Sequence, residues 1–223
     1  MGALDKINSG YRGIALLDTE KIRFADANIT ARQQIEAPDL VSGDWDRDAY
    51  VFGKVEIGGS ISGPVTETFL KSGSVFEWGC GRDTTATDCG KLTDKDVTLS
   101  YYCNRSRKFP KMLVNSLNFS VSAGDIAQFS IDVVGAQLDG SDSGWSTTAP
   151  AAFTDAEKLL TWDKINLSIT PTSGESDIEG ITFSEIDFSN FEFTVTNNVE
   201  AVYSLSQDNL LPYDLAPGIR QIS

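Results

Sequence analysis

Asp44, Asp46 and Asp48 alternate with Trp45 and Arg47 in the run SGDWDRDAY. Carboxylates at every second position open a calcium loop, which also needs a central glycine for its turn and a distal bidentate glutamate. Neither stands at that spacing here, so the run is read as a solvated or contacting loop. Asp132 and Glu192 could imitate the acid and base of a glycosidase, but nothing in the sequence fixes their separation. Cys80, Cys89 and Cys103 are too few and too irregularly spaced for a disulfide framework. A zinc site on them would need a fourth ligand from Asp or Glu. A Cys80–Cys89 bridge fits the spacing, yet idle thiols are the better reading in a reducing compartment.

The chain has no histidine at all. That removes the Ser-His-Asp and Cys-His nucleophiles, His-ligated metals and the usual proton shuttle at neutral pH. Paired carboxylates or a lone lysine could still do catalysis, but no pattern here sets them up, and the expectation is a protein that is not an enzyme and uses no cofactor or metal.

The net charge of −14 is unevenly placed. Residues 1–124 hold 16 acids and 15 bases, whereas residues 125–223 hold 16 acids and only Lys158, Lys164 and Arg220 as bases. Such a field disfavours stable binding to phosphate backbones, without excluding DNA that passes nearby. The one dense basic stretch is NRSRKFPK, with Arg105, Arg107, Lys108 and Lys111. On so acidic a chain it reads better as a hairpin tip meeting another subunit's acids than as a nucleic-acid site. No apolar run reaches the roughly 20 residues of a membrane span, and the start lacks the pattern of a secretory signal. A soluble protein made in a cytoplasm, with no membrane partner, is expected.

These residues must be carried by a strand-rich chain. In NSLNFSVSAGDIAQFSIDVVGA, Leu117, Phe119 and Val121 alternate with Asn118, Ser120 and Ser122; beyond Ala123-Gly124, Phe129, Ile131 and Val133 alternate with Gln128, Ser130 and Asp132. This predicts an antiparallel hairpin over 115–135 with one apolar and one small, polar, cation-free face. A short apolar run predicts a strand at 11–17, and alternation predicts strands at 21–30 with a slip at Asp26 and at 53–62, where Gly58-Gly59 suggests a bulge or a close backbone approach. Residues 97–103 are expected to pair with 112–121 across the basic tip. Residues 36–52 break periodicity and read as a long loop or two-stranded arm. A helix is expected over 64–78, weakened by Gly73, and another over 154–161 opening on a Thr154–Glu157 capping box. Residues 135–152 read as a surface loop. A weak echo between 38–62 and 213–223 hints at a duplicated half-barrel.

Several of these stretches together resemble the tail tube proteins of long-tailed bacteriophages. The hairpin is similar to a recurring NSL-x-x-SVSAGD segment of that family. TNNVEAVYSLSQDNLLPYDLAPGIRQIS resembles its closing segment, in which Asn-Asn-x-Glu and a Pro-Asp turn precede G-x-R-x-I-S. Tyr213 intrudes into that turn here. VEIGGSISGPV resembles the strand leading into the family's helix.

The resemblance implies a mainly β fold over 1–223, an antiparallel β-sandwich or half-barrel with one flanking α-helix and a long loop arm. It also implies six-subunit rings, with inner sheets fused into one barrel, stacked into a tube through which the genome leaves. On that reading Asn118, Ser120, Ser122, Gln128, Ser130 and Asp132 line the channel. Asp44, Trp45, Asp46, Arg47 and Asp48, with Arg105, Arg107, Lys108 and Lys111, make contacts between subunits or rings. The partners are further copies of the chain, a tape measure protein and, in a contractile tail, a sheath; DNA transits without stable binding. The place is the tail of a virion assembled in a host cytoplasm. Two other readings stay open: a head–tail connector or tail terminator ring, and a carbohydrate- or receptor-binding β-sandwich with Trp45, Trp78, Trp145 and Trp162 as platforms.

Overall fold

The alternating stretch at 115–136 folds into the middle of an antiparallel sheet. The structure, a computed structural model, describes residues 13–18, 20–36, 51–81, 92–101, 105–137, 145–146, 158–165, 189–204 and 210–223. In chain order the elements are β1 (Gly13–Leu17), β2 (Glu20–Phe24), β3 (Asp26–Ala27), β4 (Thr30–Glu36), β5 (Val51–Pro64), α1 (Glu67–Ser72) and α2 (Ser74–Cys80). There follow β6 (Lys95–Tyr101), β7 (Arg105–Ser122), β8 (Gln128–Gly135), β9 (Trp145–Ser146), a 3-10 turn (Trp162–Lys164), β10 (Asn190–Thr196), β11 (Glu200–Val202), β12 (Asp214–Ala216) and β13 (Gln221–Ile222).

The fold is mainly β and antiparallel, as expected. Among the described residues, eleven strands form one sheet ordered β2-β1-β6-β7-β8-β5-β3, with β4 on β5, β9 and β10 on β7, and β13 on β10. β7 is the spine, because its 18 residues serve different neighbours along their length. Its first half pairs with β6 and its second with β10, while β8 runs along the other edge from Met112 to Ser120. The sheet curls until the chain leaving β2 bends at Ala25 and pairs with β5 as β3, so the phase slip near Asp26 marks a change of partner. β2 and β3 remain separate strands and the barrel stays open.

One face of the curled sheet is closed by the helices. Phe69 stacks on Phe129 with ring centroids 4.6 Å apart, and Phe76 lies 6.1 Å from Phe119. Trp78 is fully buried and donates from Nε1 to the carbonyl of Met112 at 3.2 Å. With Val75 these side chains form the face that the helices turn to the sheet, whereas Leu70 is exposed. The helical stretch begins at Glu67, three residues later than expected, because Pro64 still belongs to β5. Thr66 supplies the cap, its Oγ1 accepting the Phe69 N–H at 3.2 Å. At Gly73 the backbone turns left-handed (φ 67°), ending α1 before α2 restarts.

Two pairings differ from expectation. β6 pairs with residues 105–112 rather than 112–121, Val97 standing opposite Phe109, so the basic stretch lies within β7. Of the expected helix at 154–161, residues 154–157 lie outside the described residues and 158–161 are extended. Leu159 bridges Thr66 and Thr161 bridges Ile126, while Leu160 exchanges backbone bonds of 2.9 Å with Val65 and Ala127. Two open strand ends offer this strip backbone partners that a short amphipathic helix could not supply, and tertiary pairing overrides the local signal.

The two glycines at 58 and 59 mark a close approach. Gly59 has φ 153°, and a Cβ there would stand 2.7 Å from the Asn28 carbonyl oxygen and the Ile29 Cα. Asn28 Oδ1 in turn accepts the Ser60 N–H at 2.7 Å. Nothing in the pairing supports the half-barrel echo: β5 is a 14-residue interior strand, whereas 213–223 holds two strands of three and two residues. A small second core of Leu113, Val199 and Leu215 lies where the β11–β12 ribbon meets the sheet.

Candidate functional site

Period-two geometry sorts the central strands into two faces. The inward residues of β7 and β8, Leu117, Phe119, Phe129, Ile131 and Val133, are all buried. The outward residues align in rows across four strands. Thr194, Asn118, Ser130 and Ser62 form one row; Glu192, Ser120 and Gln128 form the next; Thr196, Ser116, Asp132 and Ser60 form a third. Ser122 faces Asn190 at the end. Every one of the six polar residues singled out in the hairpin therefore lies on one continuous surface, extended by β10 on one side and β5 on the other.

These rows carry no Lys or Arg. Their two carboxylates are held by neighbours on the same face: Ser116 Oγ donates to Asp132 Oδ2 at 2.6 Å, and Asn118 Nδ2 donates to Glu192 Oε1 at 2.7 Å. Asp132 and Glu192 sit two strands and two rows apart, roughly 16 Å from strand spacing and rise. That is too far for the paired carboxylates of glycoside hydrolysis, which stand within about 10 Å. Among the described residues, the cations on this side of the sheet stand away from these rows: Lys21 and Lys108 in line with Leu16 and Thr98, and, further along β4 and β5, Arg32 opposite Glu56 and Lys54, which binds Glu56 at 2.7 Å.

The basic stretch is partly committed within the chain. Lys108 binds Asp96 at 2.5 Å, and Arg107 lies 5.0 Å over the Phe109 ring. Lys111 is exposed with φ 52°, and its N–H donates to Asp96 Oδ1 at 3.3 Å. The hydrogen bond from Lys108, helped by the Lys111 N–H, holds the Asp96 carboxyl below the usual carboxylate range. Arg105 opens β7 opposite Tyr101. Asp44, Trp45, Asp46, Arg47 and Asp48 lie outside the described residues; the strands on either side of them, β4 and β5, pair with each other, with Ile35 opposite Phe52.

Trp78, one of the four proposed glycan platforms, is 1% exposed and belongs to the core. Cys80 is a free, half-buried thiol whose pKa is pushed up by burial against a smaller opposing effect of Arg220. Among the described residues no cluster of Cys, Asp and Glu could hold a metal ion.

Sequence reasoning did not single out the residues that tie this face to the helices. Asn197 is 1% exposed; its Nδ2 donates to the carbonyls of Gly79 (2.8 Å) and Val114 (3.0 Å), and its Oδ1 accepts from Arg220 Nε at 2.8 Å. Asn115, at the β7 bulge, accepts the Asn197 N–H on its carbonyl at 2.7 Å and the Val199 N–H on Oδ1 at 2.9 Å. The signal was the Asn-Asn-x-Glu and G-x-R pattern: Gly218 donates to the carbonyls of Asn197 and Asn198 at 3.0 Å.

A family model described as phage tail tube protein matches residues 9–223. The chain belongs to that family. As a tail tube family member it is a structural component of a tail particle. Among solved structures, an extracellular contractile injection system's sheath–tube complex (PVC, extended state) is similar at 18% identity and TM-score 0.38, covering 58% of this chain and 87% of that one. The cap terminating the tube of the anti-feeding prophage is similar at 19% and 0.39, covering 56% and 84%. The sheath/tube terminator of the PVC system is similar at 17% and 0.42, covering 61% and 98%. Likenesses this distant add nothing to the family match. No curated protein matches the chain.

Proposed function

We propose that the chain is the tail tube subunit itself: six copies close into a ring, rings stack into a tube, and the genome leaves through its channel. The observation that carries this reading is the set of continuous polar rows where β10, β7, β8 and β5 pair around the hairpin, which display small side chains and two carboxylates but no cation. On this reading Asn118, Ser120, Ser122, Gln128, Ser130 and Asp132 line the channel. A cation there would bind phosphate and release counterions, adding about one unit of salt slope per contact. The surface is suited to let a polyanion slide.

Ring closure also covers the sheet edges at β4 and β13, which have no further strand among the described residues and would otherwise invite uncontrolled pairing. The arm at 36–52, with Asp44, Trp45, Asp46, Arg47 and Asp48, reaches a neighbouring subunit or ring. Arg105, Arg107, Lys108 and Lys111 meet acids of another copy to the extent that their own strands leave them available. A tape measure protein fills the tube during assembly, a sheath surrounds it where the tail contracts, and assembly takes place in the host cytoplasm. The protein performs no catalysis.

Negative-stain microscopy of the purified protein, alone and with its tail partners, tests this. Rings or tubes with a central channel are expected. A monodisperse monomer under every condition would overturn the reading.

A further inference from the structure

β5 has two ends, which from Phe52 to Pro64 lie roughly 40 Å apart at the rise of a strand. Each end exposes apolar side chains. At the first, Ile35 and Phe52 face each other across β4 and β5 and are 60% and 57% exposed. Isolated surface hydrophobes are ordinary, but an aligned cross-strand pair this open is a patch in want of cover. Beside it stands Arg32, exposed and without an ion pair among the described residues, since Glu56 is taken by Lys54.

At the far end the 158–162 strip fills the gap between Val65–Thr66 and Ile126–Ala127 and leads into Trp162, which is 50% exposed; Leu159 is 37% exposed. Two exposed acidic residues neighbour Trp162 along the backbone. Asp125 accepts the Trp162 N–H on its carbonyl at 3.1 Å, and Asp163 follows Trp162 directly in the 3-10 turn. Neither carboxylate has an ion pair among the described residues. Lys158, four residues away, is the strip's own exposed cation.

The geometry points to a docking contact between these two ends in successive copies of the chain. Ile35 and Phe52 of one copy pack on Trp162 and Leu159 of the next, and Arg32 meets Asp125 and Asp163. The match is apolar against apolar, and a cation against two carboxylates, none of the three in an ion pair among the described residues and Asp163 accepting only from the Thr161 hydroxyl, next to the exposed Trp162, whose ring also attracts guanidinium. The two surfaces differ and sit at opposite ends of one strand, so the contact is heterologous and repeats along β5 without self-termination. It rests on the tube reading in taking the partner to be the same chain.

The test places a photoreactive benzoylphenylalanine at Phe52 in the full chain. After irradiation, a covalent dimer should appear, with the cross-link mapped by mass spectrometry to residues 158–163. Arg32→Glu should reduce its yield about threefold, as loss of one exposed ion pair would. Pairing that variant with Asp163→Arg should restore it. Cross-links that map elsewhere, or an absence of dimer, overturn the contact. Micrographs of the same sample judge the tube separately. Tubes with cross-links elsewhere leave the tube standing without this contact, while dimers linked at 158–163 in a sample lacking rings and tubes uphold the contact and count against the tube.

Discussion

Arg220 donates from Nε to the buried Oδ1 of Asn197 at 2.8 Å, so the last strand of the chain closes on the same side chain that anchors the C-terminal end of α2. One amide here ties together β7, α2 and Arg220, the residue that leads into β13. Its removal strands the carbonyls of Gly79 and Val114 in a dry site and leaves Arg220 without this acceptor. A buried group losing its partner costs about 1–3 kcal/mol. Asn197→Ala should accordingly destabilise the chain by roughly 2–3 kcal/mol, read from urea unfolding followed by tryptophan fluorescence. Asn197→Asp should be at least as harmful, because it turns an acceptor toward two carbonyls. A change below about 0.5 kcal/mol, the scale of an indifferent surface substitution, would show that water replaces the amide.

Gly59→Ala should fail more severely. A methyl there meets main-chain atoms at 2.7 Å on the β3–β4 connection, and φ 153° disfavours any side chain. Backbone cannot yield as the end of a flexible side chain can, so β3 and β4 must leave β5. The variant is expected to lose soluble yield and protection of β5 amides in hydrogen exchange. Unchanged protection would mean that β4 is not held where it lies.

How much of this was legible in the residues depends on what each element answers to. Phe119, Phe129 and Ile131 declared the central hairpin because strand periodicity is local and one face is buried. Gly73 only weakened the expectation of one helix over 64–78, whereas its left-handed backbone divides that stretch into α1 and α2. Thr154 and Glu157 misled, because a capping box says nothing of the open backbone at Val65 and Ala127 that draws residues 158–161 into an extended strip. Likewise Lys108 looked free in sequence, yet Asp96 stands across the β6–β7 pair to receive it. The polar face was readable in composition, but its extent was not, since β10 and β5 join it through pairings distant in sequence.

The Asp96–Lys108 pair makes a prediction about acid. Asp96 has a folded pKa below its ordinary value of about 3.9. Its contribution is therefore present above the unfolded pKa and is lost as pH falls through the lower folded value. Asp96→Asn should flatten the decline in stability between about pH 4 and pH 2 relative to wild type. Because both side chains are more than one third exposed, the difference should stay under about 1 kcal/mol and shrink in high salt. Urea midpoints measured across that range would decide it; parallel acid profiles would show the pair to be inert.

Lysine placed on the polar face tests what that face does. Ser120, Ser130 and Asp132 project from the open side of β7 and β8, away from the helices, so the triple lysine variant should fold and still form tubes. Each lysine that meets a phosphate adds about 0.9 to the dependence of binding on the logarithm of salt. Genome ejection from particles carrying this variant should slow, and the delay should fade as salt rises. Leu70→Lys, on the helical side of the sheet, should leave ejection at the wild-type rate. The salt dependence separates adhesion from damage, because a misassembled tube would not recover in higher salt. Wild-type ejection by intact tubes of the triple variant at low salt would place the channel against another face of the subunit.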